Sequence, residues 1–375
     1  MTAIDSRAAL IVGAGIGGLA AGVALQRAGW SVRIHERAAS PRELGFGLLL
    51  APNALSALGR LGVPDALVTS GAAGTGVEIR RLNGRLIRRF DIPAGMPTVV
   101  ALRSDLYGAL LSAVGENVLR LGSDVVSFSE EAEGVTVRTR DGRTHEGHVL
   151  IGADGVSSVI RQQLHRAEPP PRTSGFCAVR GVAHGVGGRL DGLAAVVYLD
   201  NGVEAATARA GSDDAVYWYL SLLSRDVPAD ARTPAAIVRR LASGFEAPLA
   251  SIVSATLPED MRFDELLTRH PLPSWGAGRV TLLGDAAHPL LPHTAQGAAQ
   301  ALEDAVALGA ALENAVDVDS ALRRYEQARM KRTRALIRLG PRIARVTTTR
   351  SALIQMARSL AIRVVPPWLI KGIGT

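Results

Sequence analysis

The chain has 375 residues, 47% of them apolar, and a formal net charge of +7, which is a globular composition with ample length for a core. Its basic residues are scattered arginines without interleaved aromatics, which argues against nucleic-acid binding. Cys177 is the only cysteine, so an intrachain disulfide and a thiolate metal cluster are excluded, and we expect no metal. No signal peptide or run of about eighteen apolar residues is evident, so we expect a cytoplasmic protein without an integral membrane segment.

The first half of the chain predicts a β-α-β unit followed by mixed elements. The pattern of apolar residues indicates a strand over Ala8–Val12, a helix over Gly17–Ala28 and a strand over Ser31–His35. The next predicted elements are a helix over Pro52–Leu61, a hairpin over Val77–Ile92 that turns at Asn83-Gly84, a helix over Ser104–Val114, two strands around the Asp141-Gly142 turn, and a strand over Val149–Ile151.

The second half predicts another sheet and then mainly helices. Strand-like segments alternate with glycine and aspartate turns from Gly175 to Ser224, which indicates a second sheet. A helix over Thr233–Ala242, a strand over Arg279–Leu283 and a long helix over Ala295–Glu313 follow. From Ser320 onward the pattern is helical, with predicted interruptions at Gly340-Pro341 and Pro366-Pro367.

Three glycines lie where the first predicted strand meets the first predicted helix. Gly13 permits a tight turn, Gly15 lets a pyrophosphate approach the backbone, and Gly18 allows close packing of helix on strand. Glu36 ends the second strand, where a carboxylate can accept hydrogen bonds from ribose hydroxyls. This arrangement predicts dinucleotide binding, with Arg37 either contacting the adenosine or remaining a solvated surface charge.

Further segments resemble motifs of the single-component flavoprotein aromatic hydroxylases, the p-hydroxybenzoate hydroxylase-like group. Within that group the resemblance is nearest to the salicylate, 3-hydroxybenzoate and hydroxynicotinate hydroxylases, and it spans residues 8–304 in the family's order. The segments are LAPNA at 50–54, RSDL at 103–106, GADGVSSVIR at 152–161, the Arg180-Gly181 pair, GDAAHP at 284–289, Gln296-Gly297 and ALED at 301–304.

The resemblance implies non-covalent FAD. Asp285 ends a predicted strand and can accept from a ribityl hydroxyl, while the helix predicted from Ala295, where many relatives carry glycine, can direct its N-terminus at the flavin N1 region. Each motif aspartate can alternatively be a helix cap or turn residue. The candidate cofactor-binding residues are Gly13, Gly15, Gly18, Glu36, Arg37, Gly47, Arg103, Asp154, Asp285, Gln296, Gly297 and Ala298.

The resemblance also implies a reaction. NADPH or NADH would reduce the FAD as a transient co-substrate, and O₂ would then form a C4a-hydroperoxyflavin that hydroxylates a small aromatic or heteroaromatic substrate. A second nucleotide motif is absent, since the glycine run Gly71–Gly76 has the wrong spacing and no preceding strand. The alternatives are the same chemistry as an epoxidase or hydroxylase of an isoprenoid, indole or polyketide intermediate, and an FAD-dependent reductase of an unsaturated lipid.

The sequence does not identify the group that acts on the substrate. We expect the pocket on the second sheet, near Gly175–Leu223, with His293, Arg180, Arg209 and Tyr217 as catalytic candidates. A histidine or tyrosine in such a sheet is more often structural, and either arginine can alternatively face solvent. His184, Tyr198 and Tyr219 are further polar residues of the right type. Gly45, Gly47 and Gly297 are expected to leave room for movement of the flavin.

These patterns predict an α/β fold with a discontinuous Rossmann-like FAD-binding domain and an inserted, mainly antiparallel β-sheet substrate domain. The expected FAD-binding domain comprises 1–75, 98–170 and 275–330, and the substrate domain comprises 76–97 and 171–274. Residues 331–375 form a C-terminal helical region whose arginines predict a solvated basic face, with contact to a membrane surface as the alternative. We expect a monomer or homodimer.

Overall fold

The computed structural model describes residues 7–40, 46–63, 74–92, 99–211 and 214–364. Gly45, residues 71–73 and Pro366-Pro367, which carried sequence predictions, lie outside the described residues. The helices are α1 (Ile16–Arg27), α2 (Pro52–Leu61), α3 (Arg103–Val114), α4 (Val159–Leu164), α5 (Pro234–Ala242), α6 (Leu249–Ser254), α7 (Gly297–Leu312), α8 (Val318–Thr347) and α9 (Ala352–Val364).

The strands are β1 (Ala8–Val12), β2 (Ser31–His35), β3 (Gly47–Leu50), β4 (Gly76–Arg80), β5 (Leu86–Asp91), β6 (Val99–Leu102), β7 (Leu119–Arg120), β8 (Val125–Glu130), β9 (Val135–Thr139), β10 (Thr144–Gly147), β11 (Val149–Gly152), β12 (Arg172–Ala183), β13 (Ala195–Asp200), β14 (Val203–Ala210), β15 (Ala215–Leu223), β16 (Met261–Thr268) and β17 (Val280–Leu282).

The first sheet is parallel and has the strand order β17-β11-β1-β2-β7. Its central strand β1 is buried along its whole length, as expected for a parallel sheet covered on both faces. Helix α1 packs beside α7, where a Cβ atom at Gly309 would lie 3.0 Å from the Cβ atom of Ala24. Small residues therefore let these two helices approach closely above the sheet.

The second sheet has the strand order β16-β12-β15-β14-β13-β4-β5, and its strands are antiparallel except for the β13–β4 pair. Residues of α5 and α6 pack on one face and form a separate core with β12–β15. On the opposite face, Phe176 and Ala178 pack with Leu291 and Ala344 from the later part of the chain. That face is therefore turned towards the half of the molecule that contains the parallel sheet.

The α/β fold class predicted from the sequence is confirmed, and β1, β2 and α2 coincide with their predicted limits. The expected break at Gly340-Pro341 was wrong, because α8 continues through Pro341 to Thr347. Gly340 is buried close to Leu291 and Thr294. Tertiary packing thus outweighs the hydrogen bond that proline removes. Among the described residues, no helix has the length and apolar character that crossing a bilayer requires.

Candidate active site

The glycine turn after β1 has the shape that a pyrophosphate requires. Gly13 adopts φ +102°, and a Cβ atom there would lie 2.4 Å from the carbonyl oxygen of Ala153. A Cβ atom at Gly18 would lie 1.9 Å from the carbonyl oxygen of Gly13, so only glycine fits either position. Around the Cβ direction of Gly15, by contrast, the described residues leave open space. The turn is tightly packed on its inner side and open on its outer side.

Helix α1 begins directly after this turn, and no side chain of the described residues caps it at Gly15. Its first N–H groups can therefore donate to a phosphate, which the helix dipole also favours. The carboxylate of Glu36 accepts from the backbone N–H groups of Ala14 and Ala38, both at 2.9 Å. Each of its oxygens retains a lone pair for a ribose hydroxyl. Arg37 beside it is exposed.

Asp285 follows β17 and lies near Arg180 of the second sheet, and we call the space between this aspartate and the facing side of that sheet the cleft. Its side chain is reached by solvent, but the surrounding protein raises the pKa of the carboxyl by desolvation. The charges of His288, Arg103 and Arg180 act in the opposite direction and lower that pKa. Arg103 is the first residue of α3, and Arg180 belongs to β12. Residues predicted from three separate motifs thus face one carboxylate.

The start of α7 lies in the same region. Ala295 adopts φ +51°, so the helix begins at Gly297 rather than at Ala295, as the sequence pattern had suggested. Gln296 is buried, and its Oε1 atom accepts from Nδ2 of Asn53 at 3.1 Å. A Cβ atom at Gly297 would meet only open space among the described residues. The first turn of α7, which includes Ala298, can therefore direct its N–H groups at an anionic group outside the helix.

Two charged residues of the middle motif hold the backbone together. Asp154 accepts from the N–H of Val159 at 2.7 Å and so caps α4, while its Oδ1 atom is buried without a partner among the described residues. Burial raises the pKa of this carboxyl. Arg161 is fully buried, pairs with Glu168 and donates to the carbonyl oxygen of Ala286 at 2.9 Å. These contacts link the middle motif to the late motif.

His288 belongs to a second buried ion-pair network beneath the late motif. Its Nε2 atom contacts Oδ2 of Asp304, and Oδ1 of Asp304 accepts from Nε of Arg329 at 2.7 Å. The N–H of Gly284 also donates to Asp304 at 3.2 Å. Burial alone would raise the pKa of Asp304, but His288 and Arg329 outweigh it and hold that pKa below its usual value. His288 therefore supports the loop that carries Asp285.

Polar side chains gather on the face of the second sheet that is turned towards Asp285. Arg180 on β12 pairs in register with Tyr219 on β15, and its charge also affects the pKa values of Tyr217 and His293. The hydroxyl of Tyr219 donates to Oε1 of Glu204 on β14. Strand register places these side chains on one face because residues two apart along a strand point the same way.

Glu204 and His293 form the most enclosed part of this group. The Nε2 atom of His293 lies 3.0 Å from the hydroxyl of Ser221 and 3.9 Å from Oε2 of Glu204. Oε2 of Glu204 and Nδ1 of His293 are buried and lack hydrogen-bond partners among the described residues. Burial lowers the pKa of His293 and raises that of Tyr219 well above its usual value. Glu204 is not among the residues that the sequence analysis selects.

Other candidates lie away from this face. Arg209 is an odd number of residues from Glu204 along β14, so its side chain lies on the other face of the sheet and does not share the cleft with Arg180. It donates to the carbonyl oxygen of Gly187 at 3.3 Å. Tyr198 is buried in the core behind the sheet, and His184 is exposed after β12. Cys177 also faces that core, where desolvation raises the pKa of its thiol to about 11.

Gly47 has a different environment from the one its sequence position suggested. It lies on β3 and is buried, and a Cβ atom there would lie 2.4 Å from the ring of Tyr217. The glycine therefore lets the backbone of β3 pack directly on a tyrosine of the second sheet. A larger residue at position 47 would therefore collide first with the ring of Tyr217.

A parallel sheet, a glycine turn followed by a helix, an acid at the end of β2 and a late aspartate facing a second sheet together define the fold class of a dinucleotide-binding protein. The chain belongs to the FAD binding domain family, whose sequence profile matches residues 6–339. It is 34% identical over 370 residues to the aurachin C monooxygenase/isomerase of Stigmatella aurantiaca, which covers 95% of this chain and 94% of that protein.

Two further comparisons give the same class. The 3-hydroxybenzoate 6-hydroxylase 1 of Aquipseudomonas alcaligenes is 33% identical over 344 residues, covering 86% of this chain and 85% of that protein. The crystal structure of Klebsiella pneumoniae HpxO with FAD and uric acid superimposes with a TM-score of 0.91 at 27% identity, covering 98% of this chain and 95% of that one. The chain is an FAD-dependent monooxygenase of the aromatic-hydroxylase type, a class that typically uses NAD(P)H.

Proposed function

We propose that this enzyme hydroxylates a small aromatic or heteroaromatic ring that carries a hydroxyl or ring N–H group, using O₂ and NAD(P)H. The observation that supports this substrate class is the buried Oε2 atom of Glu204, which lacks a partner among the described residues. A buried acceptor without a partner is costly unless a ligand donates to it. A substrate with a hydroxyl or N–H group supplies that donor.

The FAD site that we propose follows from the geometry of the parallel-sheet half. The open side of Gly15 and the first turn of α1 suit the pyrophosphate, and Glu36 suits the adenosine ribose. Asp285 suits a ribityl hydroxyl, and the first turn of α7 suits the anionic edge of the reduced ring. Bound there and reduced by NAD(P)H, the flavin supplies activated oxygen. We assign this half, residues 1–75, 98–170 and 275–330, to cofactor binding.

Residues of the second sheet then act on the substrate. A substrate hydroxyl that donates to Oε2 of Glu204 can lose its proton to that carboxylate as the oxygen atom adds to the ring. Loss of this proton raises the electron density of the ring, which favours electrophilic oxygenation. Tyr219 holds the other oxygen of Glu204, and His293, kept neutral by its lowered pKa, lies next to both. Burial of the group excludes water from the reacting centre.

Arg180 and Tyr217 have positioning roles in this proposal. Arg180 pairs with Asp264 at 3.5 Å, so part of its charge is compensated before a substrate arrives. This compensation favours a neutral ring over a benzoate-like anion, because a free arginine would be the natural partner of a carboxylate. Tyr217 stacks beside Tyr219 with ring centroids 6.4 Å apart and can contact a flat substrate. Residues 76–97 and 171–274 form the proposed substrate domain.

A matched substrate screen tests the assignment. NAD(P)H oxidation and product mass are measured with phenols, hydroxyquinolines and indoles, each compared with its O-methyl or N-methyl counterpart. We expect stimulation and hydroxylated product with compounds that retain the donor, and little of either with methylated partners. Equal turnover of both members of each pair contradicts the role of Glu204. An isoprenoid and an unsaturated lipid are measured beside these pairs, and an epoxide from the first, or a reduced product without added oxygen from the second, would identify the alternative reactions instead.

A further inference from the structure

Helix α9 turns its apolar side chains to solvent and its polar side chains to the protein. Gln355 and Arg358 are buried on its inner side. The exposed fractions of its large apolar residues are 74% for Leu353, 47% for Ile354, 63% for Met356, 61% for Leu360 and 68% for Val364. A surface helix of a globular protein ordinarily shows the reverse arrangement. Packing on the protein core therefore does not explain the apolar residues of this helix.

Hydrogen bonds from arginines hold the helix in this orientation. Arg358 donates to the carbonyl oxygen of Leu199 on β13 at 2.7 Å and to that of Val346 in α8 at 2.9 Å. Arg88 on β5 donates to the carbonyl oxygen of Ile362 at 2.8 Å, near the C-terminal end of the helix. Because the middle and the C-terminal end of the inner side are held to the second sheet, the outer side stays directed at solvent.

Four of these five exposed residues form a stripe, the α9 apolar stripe, which consists of Leu353, Met356, Leu360 and Val364. Their spacing of three and four residues places them along one side of the helix. With a rise of about 1.5 Å per residue, the stripe extends for roughly 16 Å. An exposed apolar helix face of this kind can lie in the boundary of a bilayer.

The charge of the sequence segment that contains the stripe favours one kind of partner. From residue 327 to the end, the sequence contains no aspartate or glutamate. A second copy of the chain docked through this stripe would bring two basic regions together, and like charges repel. An anionic surface is attracted instead. The exposed basic residues in the described part of this segment are Lys331, Arg338, Arg342, Arg345, Arg350 and Arg363; Arg350 is paired with Asp226 at 3.1 Å.

We propose that α9 docks on the anionic surface of a lipid bilayer. The helix lies parallel to the membrane, with the α9 apolar stripe among the upper acyl chains and the basic residues against the lipid phosphates. This mode of binding needs no spanning helix, consistent with the lack of one among the described residues. The proposal is independent of the reaction assigned above, since it concerns a surface outside the cleft.

Co-sedimentation of the FAD-loaded full-length enzyme with lipid vesicles tests this docking. One set of vesicles contains phosphatidylcholine, and the other contains phosphatidylcholine mixed with phosphatidylglycerol. We expect binding to the anionic vesicles that weakens with added salt, and little binding to the neutral ones. The variant L353Q/M356Q/L360Q should bind anionic vesicles at least about tenfold more weakly, because it removes apolar side chains that would enter the bilayer.

A matched control uses an apolar residue that is exposed elsewhere. Leu257 is 56% exposed, and L257Q should bind vesicles like the unmodified enzyme. Flavin content and the melting temperature report that each variant is folded. Absence of binding to anionic vesicles overturns the proposal, as does equal binding by the triple variant. A dimer that the triple variant converts to a monomer, without vesicle binding in either form, overturns it in favour of a second copy.

Discussion

Two buried carboxylates, Asp304 and Glu204, each lie beside a histidine, yet their surroundings differ. Asp304 contacts His288 and accepts from Arg329 and from the backbone of Gly284, so both of its oxygens have partners. Glu204 receives one hydrogen bond, from Tyr219, and its second oxygen has no partner among the described residues. The first carboxylate lies beneath the proposed FAD site, and the second faces the cleft.

The difference separates a carboxylate that stabilises the protein from one that is available to a ligand. A fully paired buried carboxylate holds its neighbours in place, and loss of the Asp304 charge would remove one of the two carboxylates that compensate the buried Arg329, the other being Glu303. A carboxylate with an unused oxygen contributes less to folding and can receive a donor from a substrate. Substitutions at the two positions should therefore have opposite profiles of stability and activity.

The largest effect is expected for Asp304→Asn. Removal of the negative charge weakens two contacts, with His288 and with Arg329, and leaves Glu303 as the one carboxylate paired with Arg329 among the described residues. The loss of two charge-assisted contacts in a buried site should lower the free energy of unfolding by about 3–5 kcal/mol. Urea unfolding followed by circular dichroism measures the change. Asp319→Asn, at an exposed position of α8, is the matched control and should change stability little. A loss below about 1 kcal/mol for Asp304→Asn would show that the network is not structural.

A buried histidine whose hydrogen-bond contact is a serine hydroxyl should respond to pH. His35 contacts the hydroxyl of Ser123 at 2.8 Å, and desolvation first, then the nearby His145, lowers its pKa from 6.5 to about 4. Between pH 4 and pH 6.5 the unfolded chain binds a proton that the folded chain does not. The contribution of His35 to the free energy of unfolding is therefore fully present above pH 6.5 and declines as the pH falls. The contribution lost by pH 4 is about 3 kcal/mol.

His35→Gln isolates this contribution. We expect the variant to lose less stability than the unmodified protein when the pH is lowered from 7 to 4.5, as measured by urea unfolding at each pH. The comparison uses the change with pH and not the absolute stability, because the substitution also removes the contact with Ser123. Parallel pH profiles for the two proteins would contradict the assigned shift.

A smaller effect is expected at the proposed cofactor site. Asp285→Asn removes the charge from a hydrogen bond to the ribityl chain, which should weaken FAD binding by roughly 1.5–3 kcal/mol with little change in folding. Flavin fluorescence after dilution gives the dissociation constant. Asp230→Asn, an exposed residue distant in sequence, serves as the control. Unchanged FAD affinity in Asp285→Asn would remove this residue from the cofactor site.

Much of the parallel-sheet half could be predicted because its signals are local. The strand, the glycine turn, the helix and Glu36 lie within thirty or so residues, and each glycine has a steric reason that the structure bears out at Gly13 and Gly18. The helix start at Ala295 was misplaced because a left-handed alanine looks like an ordinary helix former in the sequence. The helix break predicted at Pro341 was wrong because tertiary packing overrides the local preference of proline.

The set of polar side chains on the second sheet could not be predicted in full, because strand register decides which of them lie on the same face. Arg180 and Arg209 are equivalent as sequence signals, yet one faces the cleft and the other faces away. Glu204, Tyr219 and His293 come from separate parts of the chain and meet only when β14, β15 and the late motif pack together. An alternating pattern with an unexpected glutamate among small apolar residues on β14 was the available signal.

The smallest effect on stability is expected for Glu204→Gln. The amide of glutamine can keep a contact with Tyr219. Among the described residues, Glu204 forms no direct ion pair with a buried arginine or lysine, and His293 at 3.9 Å is neutral. The free energy of unfolding should therefore change by about 1 kcal/mol or less. Thermal unfolding and FAD content measure this. A loss as large as that of Asp304→Asn would abolish the contrast between the two carboxylates.

Product formation under ¹⁸O₂ tests the central claim most directly. With a substrate from the matched screen, the unmodified enzyme should add one ¹⁸O atom per product molecule and form product in step with NAD(P)H oxidation. Glu204→Gln should retain FAD and NAD(P)H oxidation but form labelled product at least about a hundredfold more slowly. Label absent from the product of the unmodified enzyme would contradict monooxygenation, and full product formation by Glu204→Gln would contradict the role of the unpaired carboxylate.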